Sequence, residues 1–247
     1  MTGVLPIALD RATRIVQTLL SAGKEYICLM HIHKYLPEEE IKSVIEKFIG
    51  KITQLPPVKS AVKRQLRERE IYYLNILEIK GQDVLFKVGC QAGTYIRKLC
   101  FDIGEKLLTG AHMSQLIRTK AGPFTDKSWH SLQDLKDAYE FYKEGSEKEI
   151  RDVILPFETA VSYLPKAWIL DSAVNNICHG SDLGSSGISK LNSGIQKDNQ
   201  VAILTLKDEL IALGTAYTST EEMLKKKLTC IKTEKVFMER NTYKFVS

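Results

Sequence analysis

The chain is predicted to fold as an α+β domain with a mainly antiparallel sheet and flanking helices, followed by a small C-terminal β-barrel, on three observations. Apolar residues recur at helical spacing in 41–49 and again in 96–107. Two β-rich stretches, Ile71 to Lys80 and Val84 to Cys90, are separated only by Gly81-Gln82-Asp83, the composition of a hairpin turn. A glycine- and serine-rich region, 180–194, precedes short apolar segments, the pattern of a small all-β module.

Taken in order, Ala12, Ile15, Val16, Leu19 and Leu20 have the spacing of an amphipathic helix that stops before Gly23, with Asp10 as the capping residue at its start. Lys24 to His33 alternates as a strand does. Pro37 and three following glutamates open a helix whose Ile41, Val44, Ile45, Phe48 and Ile49 share a face, closed by Gly50. After the hairpin and Gly93, the residues Ile96, Leu99, Cys100, Ile103 and Leu107 return to helical spacing. Ser131 with Asp134 has the form of a capping box for a helix over 132–142. Pro156 and Pro165 bracket a connection, so the first domain is assigned to 1–164 and the second to 165–247, with strands at Val201 to Thr205 and Leu210 to Gly214.

Composition narrows the class of function. The 247 residues are 44% hydrophobic, enough for a sizeable core, and lack any apolar run of the roughly 18 residues a membrane helix requires. An intracellular, cytoplasmic protein is expected. The five cysteines, Cys28, Cys90, Cys100, Cys178 and Cys230, show no Cys-x-x-Cys pair and read as buried thiols. His31 and His33 fall on one strand face with no third ligand at metal spacing, and no glycine-rich phosphate loop follows a strand, so neither a metal nor a cofactor is implied. The net charge of +5 says little, but Lys59, Lys63, Arg64, Arg67 and Arg69 face one acid, Glu68, within 59–69. That segment suits an RNA backbone or, equally, a charge-protected strand edge. The run Lys225-Lys226-Lys227 after Glu221 and Glu222 matches a helix dipole instead.

The pentamer Gly93-Thr94-Tyr95-Ile96-Arg97 falls where a strand passes into a helix, a place that holds an aromatic ring and a guanidinium rigidly. Lys24-Glu25-Tyr26 opens a strand. Pro56-Pro57-Val58-Lys59-Ser60-Ala61 and Gly110-Ala111-His112-Met113 through Leu116-Ile117-Arg118 complete the set. In this order, and after the opening Thr2-Gly3-Val4-Leu5-Pro6, the chain resembles the TruB/dyskerin family of pseudouridine synthases, most of all the archaeal box H/ACA catalytic subunit. The segment with His179-Gly180, Val201-Ala202-Ile203 and 207–214 resembles a PUA domain, although Ser186-Gly187 and Asp198-Asn199 depart from the usual Pro-Gly and Gly-Asp turns.

The resemblance implies isomerisation of a flipped-out uridine in ribosomal or transfer RNA. That chemistry needs a carboxylate nucleophile, a cation beside it and an aromatic platform for the base. It also implies roles for particular residues. Arg97 pairs with the nucleophile, Tyr95 lies against the base, Tyr26 stacks on it and assists proton removal, and Leu116 lines the pocket. Arg118 lies close to RNA, and Lys59 and Lys63 are available to phosphates. Guide RNA and small H/ACA particle proteins are the implied partners. The family's aspartate sits in a Gly-x-Leu-Asp-Pro run that would lie just upstream of Met1, so these residues are expected to lack it. The alternative is a non-catalytic RNA-binding or assembly subunit.

Overall fold

The computed structural model describes residues 2–57, 63–225 and 228–243. Contacts divide the chain into two compact units, Met1–Leu155 and Pro156–Ser247.

In the first unit the strands are β1 (Thr2–Gly3), β2 (Lys24–Ile32), β3 (Gly50–Gln54), β4 (Arg67–Lys80), β5 (Asp83–Cys90), β6 (Ala111–Ala121) and β7 (Phe124–Thr125). Its helices are α1 (Val16–Ser21), α2 (Glu38–Glu46), α3 (Ile96–Lys106), α4 (Leu132–Lys143) and α5 (Lys148–Val153). Among the described residues these strands form one sheet in the order β1-β6-β2-β5-β4-β3, with β7 paired to β6. Every pairing is antiparallel except β1 with β6.

Alternation along the central strands explains the core. Cys28, Met30 and Ile32 of β2 and Val84, Phe86 and Val88 of β5 turn to one face and are buried there. Ile41 and Ile45 of α2 and Leu99, Cys100 and Ile103 of α3 complete the same cluster. Each such side chain contributes about 1.5–3 kcal/mol of transfer free energy. The helical stripes read from sequence are those that pack, but Leu20 and Ile49 lie outside them and are exposed. The single helix expected over 12–20 is instead a 3-10 turn, Asp10–Ile15, running into α1. Asp10 is not its cap: Leu9 holds that position, and the Asp10 carbonyl accepts the Thr13 hydroxyl at 2.7 Å. The Ser131 capping box forms as expected, with Asp134 N–H donating to Ser131 Oγ at 3.1 Å and Ser131 N–H to Asp134 Oδ2 at 2.6 Å.

The second unit contains β8 (Lys166–Ile169), β9 (Leu183–Gly184), β10 (Ile188–Leu191), β11 (Gln200–Leu204), β12 (Leu210–Ala216) and β13 (Thr229–Val236), with α6 (Asp171–Cys178) and α7 (Thr220–Lys225). The described strands run β10-β8-β11-β12-β13-β9 in a mixed sheet around a separate core that includes Ile169, Ile177, Val201, Ile203 and Ile211. Residues 156–164 pack with this unit rather than with the first. Glu158 Oε1 accepts the Leu210 N–H at 3.2 Å, and the rings of Phe157 and Phe237 lie 6.0 Å apart. The contact division therefore falls at Leu155, ahead of the 164/165 boundary read from the prolines. All five cysteines are free and buried, with Cys28 Sγ 3.5 Å from Cys100 Sγ. Among the described residues, no helix is long and apolar enough to cross a membrane.

Candidate active site

One end of the first sheet gathers most of the candidate residues. β2 begins there, while β5 and β6 end there: Lys24 is paired with both Cys90 and Ala121. Tyr26 stands between Val88 and Arg118 in the register, and Cys28 between Phe86 and Leu116. Paired residues share a sheet face, so Tyr26, Leu116 and Arg118 project on the same side as the core. Tyr26 and Leu116 pack on the edge of that core without being fully enclosed.

The Tyr26 hydroxyl is held in its neutral form. Burial pushes its pKa up, the nearby Cys90 thiol adds to this, and the adjacent Arg118 guanidinium, which hydrogen-bonds the phenol, only partly offsets both. Burial likewise pushes the Cys90 thiol up to about 11, so Cys90 is no nucleophile near neutral pH. Arg118 Nε donates to the Val4 carbonyl at 2.6 Å, and Val4 N–H donates to the Arg118 carbonyl at 2.8 Å. This places Arg118 between β1 and the Tyr26 hydroxyl. Lys24 has a structural role: its Nζ donates to the carbonyls of Leu19, Leu20 and Ala22, closing the C-terminal end of α1.

The second half of the site is the turn from β5 into α3. Thr94 Oγ1 donates to the Gln91 carbonyl at 2.7 Å, and Gly93 adopts φ +80, a left-handed conformation that a side chain would strain. A Cβ at Gly93 would also lie 3.2 Å from the Arg69 guanidinium, so the turn is packed against that cation. Tyr95 occupies the N-cap position of α3, and Arg97 lies in its first turn, exposed to solvent. Among the described residues no hydrogen-bonding or ion-pair partner occupies the Arg97 guanidinium. Such a cation at the end of a sheet, next to a helix start, can pair with a carboxylate brought to it.

The basic segment divides by exposure. Lys63 and Arg64 are exposed, whereas Arg67 and Arg69 are partly covered and their Nε atoms are buried with no hydrogen-bond partner among the described residues. Glu68 is paired with Lys51 at 3.0 Å. Lys59 and the 58–62 portion of its proline-led motif lie outside the described residues, as do Lys226 and Lys227. His112 forms a hydrogen bond with His33 at 2.9 Å, and His31 pairs with Asp83 at 2.7 Å, all at the opposite end of β2 from Tyr26.

Sequence reasoning passed over two residues. Gln54, at the end of β3, donates from Nε2 to the Tyr95 carbonyl at 3.2 Å and accepts the Tyr95 N–H on Oε1 at 3.0 Å. Glu25, next to Tyr26 but on the other face, receives Tyr73, Thr119 and Lys87. A polar side chain at the end of a short strand was the only sequence signal for Gln54, and it is too common to be informative.

Residues 32–96 match the TruB family pseudouridylate synthase N-terminal domain, 97–162 the tRNA pseudouridylate synthase B C-terminal domain, and 165–237 the PUA domain. "Probable tRNA pseudouridine synthase B" of Pyrococcus abyssi is 56% identical over 246 residues, covering 98% of this chain and 74% of that protein. The chain belongs to the TruB family of pseudouridine synthases. The Methanopyrus kandleri protein of the same name is 53% identical over 98% of this chain and 72% of its own length. Among solved structures, a chain of a Cbf5-Nop10-Gar1 complex superposes with TM-score 0.93 at 55% identity, over 98% of this chain and 74% of that one. A chain from an H/ACA ribonucleoprotein bound to a substrate RNA containing 2'-deoxyuridine gives TM-score 0.91 at 51% identity, over 99% and 75%. The protein is thus a pseudouridine synthase of TruB/Cbf5 type with a PUA domain.

Proposed function

We propose that this protein isomerises uridine to pseudouridine in ribosomal or transfer RNA as the catalytic subunit of a box H/ACA guide-RNA particle. The resemblance to chains solved within H/ACA assemblies supports the particle, with guide RNA and small proteins of the Nop10 and Gar1 kind as partners. The observation that carries the chemistry is the convergence, at one end of the sheet, of a neutral tyrosine beside Arg118 and of the turn that presents Tyr95 and Arg97.

The reaction breaks the bond from C1' to N1, forms one from C1' to C5, and moves a proton from C5 to N1. It is redox-neutral and loses no group, so the chemistry itself calls for no cofactor. Tyr95 gives the detached base a face to rest on, and Leu116 closes the apolar side of the pocket. Tyr26 takes part in the C5 proton transfer, with Arg118 polarising its hydroxyl. Arg97 pairs with the nucleophilic carboxylate and keeps it ionised. Residues 165–247 serve as the RNA-holding PUA domain, while Lys63 and Arg64, with Lys59, Arg67 and Arg69, meet phosphates.

In this reading the nucleophile belongs to a Gly-x-Leu-Asp-Pro run, and these 247 residues contain no such run. Tyr26, held neutral, and Asp10, exposed in its 3-10 turn, are not expected to replace it. Residues 1–247 should bind RNA yet form no pseudouridine. Joining a family-type segment with Gly-x-Leu-Asp-Pro ahead of Thr2 should create activity, and Arg97→Ala should then remove most of it. Isomerisation by 1–247 with purified partners and no other synthase would refute this placement. Continued inactivity of the extended protein would favour a non-catalytic assembly subunit.

A further inference from the structure

We propose that Gln54 is a positioning residue for the isomerisation: its carboxamide clamps the Tyr95 backbone and so sets where the Tyr95 ring meets the base. The inference rests on the reading of Tyr95 as the platform for the uracil.

Tyr95 sits at a hinge in direction. The chain leaves β5 at Cys90, passes through a turn containing Gly93, and enters α3 immediately after Tyr95. An N-cap residue has extended backbone, φ −96 and ψ 102 here, and its own N–H lies outside the helix ladder. No side chain of the local sequence caps this end of α3. Gln54 comes instead from β3, 41 residues away in sequence, and makes a two-point bond: Oε1 accepts the Tyr95 N–H at 3.0 Å, and Nε2 donates to the Tyr95 carbonyl at 3.2 Å. That carbonyl also accepts the Leu99 N–H at 3.0 Å, the first rung of α3. One carboxamide therefore fixes both the peptide plane of Tyr95 and the start of the helix that carries Arg97.

Gln54 is itself rigid. It is only 2% exposed, and its backbone is paired with Arg67 of β4. The same edge of the sheet holds the turn from below: Gln91 N–H donates to the Glu70 carbonyl at 2.8 Å, and Arg69 packs against Gly93. The carboxamide also caps the start of α3, since an apolar residue of the same size would leave the Tyr95 N–H without its acceptor. Its complementary donor and acceptor match one peptide unit in one orientation, and that is what a ring held for catalysis requires.

Gln54→Leu and Gln54→Glu in the catalytically active protein test the assignment. Leucine keeps the volume and abolishes both bonds. Single-turnover pseudouridine formation at saturating RNA should fall about tenfold to hundredfold, the loss expected for a misplacement near 1 Å, while RNA affinity stays within about twofold. Glutamate keeps the acceptor, and regains the donor only when protonated. Its rate should therefore climb towards the wild-type value as pH falls, a limb that the wild-type and leucine proteins lack. Backbone amide exchange at Tyr95 should be faster in the leucine variant whether or not RNA is present. A leucine variant with the wild-type rate, or a glutamate variant with the wild-type pH profile, would overturn the clamp. Tyr95→Ala separates the two ideas: if that variant keeps the wild-type rate, the platform reading fails; if it is slow while Gln54→Leu is not, the clamp alone fails.

Discussion

Tyr73→Phe removes a single hydroxyl, yet should lower stability in a pH-dependent way. Tyr73 lies on β4 and reaches across β5 to Glu25 on β2, donating its hydroxyl to Oε2 at 2.5 Å. The ring crosses over Gly89: a Cβ there would lie 2.3 Å from Cζ, so the glycine leaves room for the span. Thr119 Oγ1 donates to Glu25 Oε1 at 2.7 Å, and Lys87 Nζ stands 3.4 Å from the same oxygen. Partial burial alone would raise the Glu25 pKa, but these donors outweigh it and hold the carboxyl below its ordinary 4.5. Burial and the facing carboxylate push Tyr73 up to about 12. A hydrogen bond to a charged group contributes about 1.5–3 kcal/mol, and the lower end applies because two other donors remain. For a unit of this size that is a fall of roughly 3–6 °C in Tm. A carboxyl depressed in the folded state stabilises above its unfolded pKa and loses that contribution as pH falls through the folded value. The gap between wild type and Tyr73→Phe should therefore be widest near pH 7 and shrink as pH falls below 4.5. Urea unfolding followed by circular dichroism at several pH values measures it, and Gly89→Ala should cost at least as much by displacing the ring. Because Tyr26 faces the other side of the sheet, RNA affinity should not change. A gap that is absent at neutral pH, or constant with pH, would refute the argument.

Further outcomes concern function. Tyr26→Phe keeps the ring but loses the hydroxyl beside Arg118, and should slow isomerisation about a hundredfold or more with unchanged RNA affinity; a wild-type rate would remove Tyr26 from the proton transfer. Lys63→Glu with Arg64→Glu should weaken RNA binding across sequences and flatten its log-log salt dependence by roughly 0.7 per lost single-strand phosphate contact. An unchanged affinity and slope would assign both residues to a solvated face. Truncation after Leu155 should cost far more RNA affinity than it costs the first unit's fold, judged by filter binding beside circular dichroism; equal binding would contradict the role given to the PUA domain.

Periodicity in the residues themselves was enough for the elements that carry a strong apolar signal. β2, β5, α2 and α3 each place their large apolar side chains at the period of the element, and those side chains form the core. β6 shows the opposite case. Its sequence, Ala111 to Ala121, has Ser114, Gln115, Arg118, Thr119 and Lys120 interrupting any apolar run, yet it is a long strand paired along nearly all of β2. β2 pairs with it along its length, and β1 and β7 each add two residues of pairing on its other side, so its conformation is a property of the sheet rather than of its own composition. The short β3 is likewise made by its pairing with β4.

The candidate site divides along the same line. Local sequence names Tyr26, Tyr95, Arg97, Leu116 and Arg118 as candidates, because each stands in a distinctive run whose order along the chain resembles one family. What lies around them depends on residues far apart in sequence: Val4 on Arg118, Arg118 on Tyr26, Gln54 on Tyr95, Arg69 under Gly93 and Tyr73 on Glu25. A side chain's type and its neighbours in sequence decide what chemistry it can perform. Only the packed sheet decides its partners, since a hydrogen bond reaches about 3 Å and the chain alone does not bring those atoms that close.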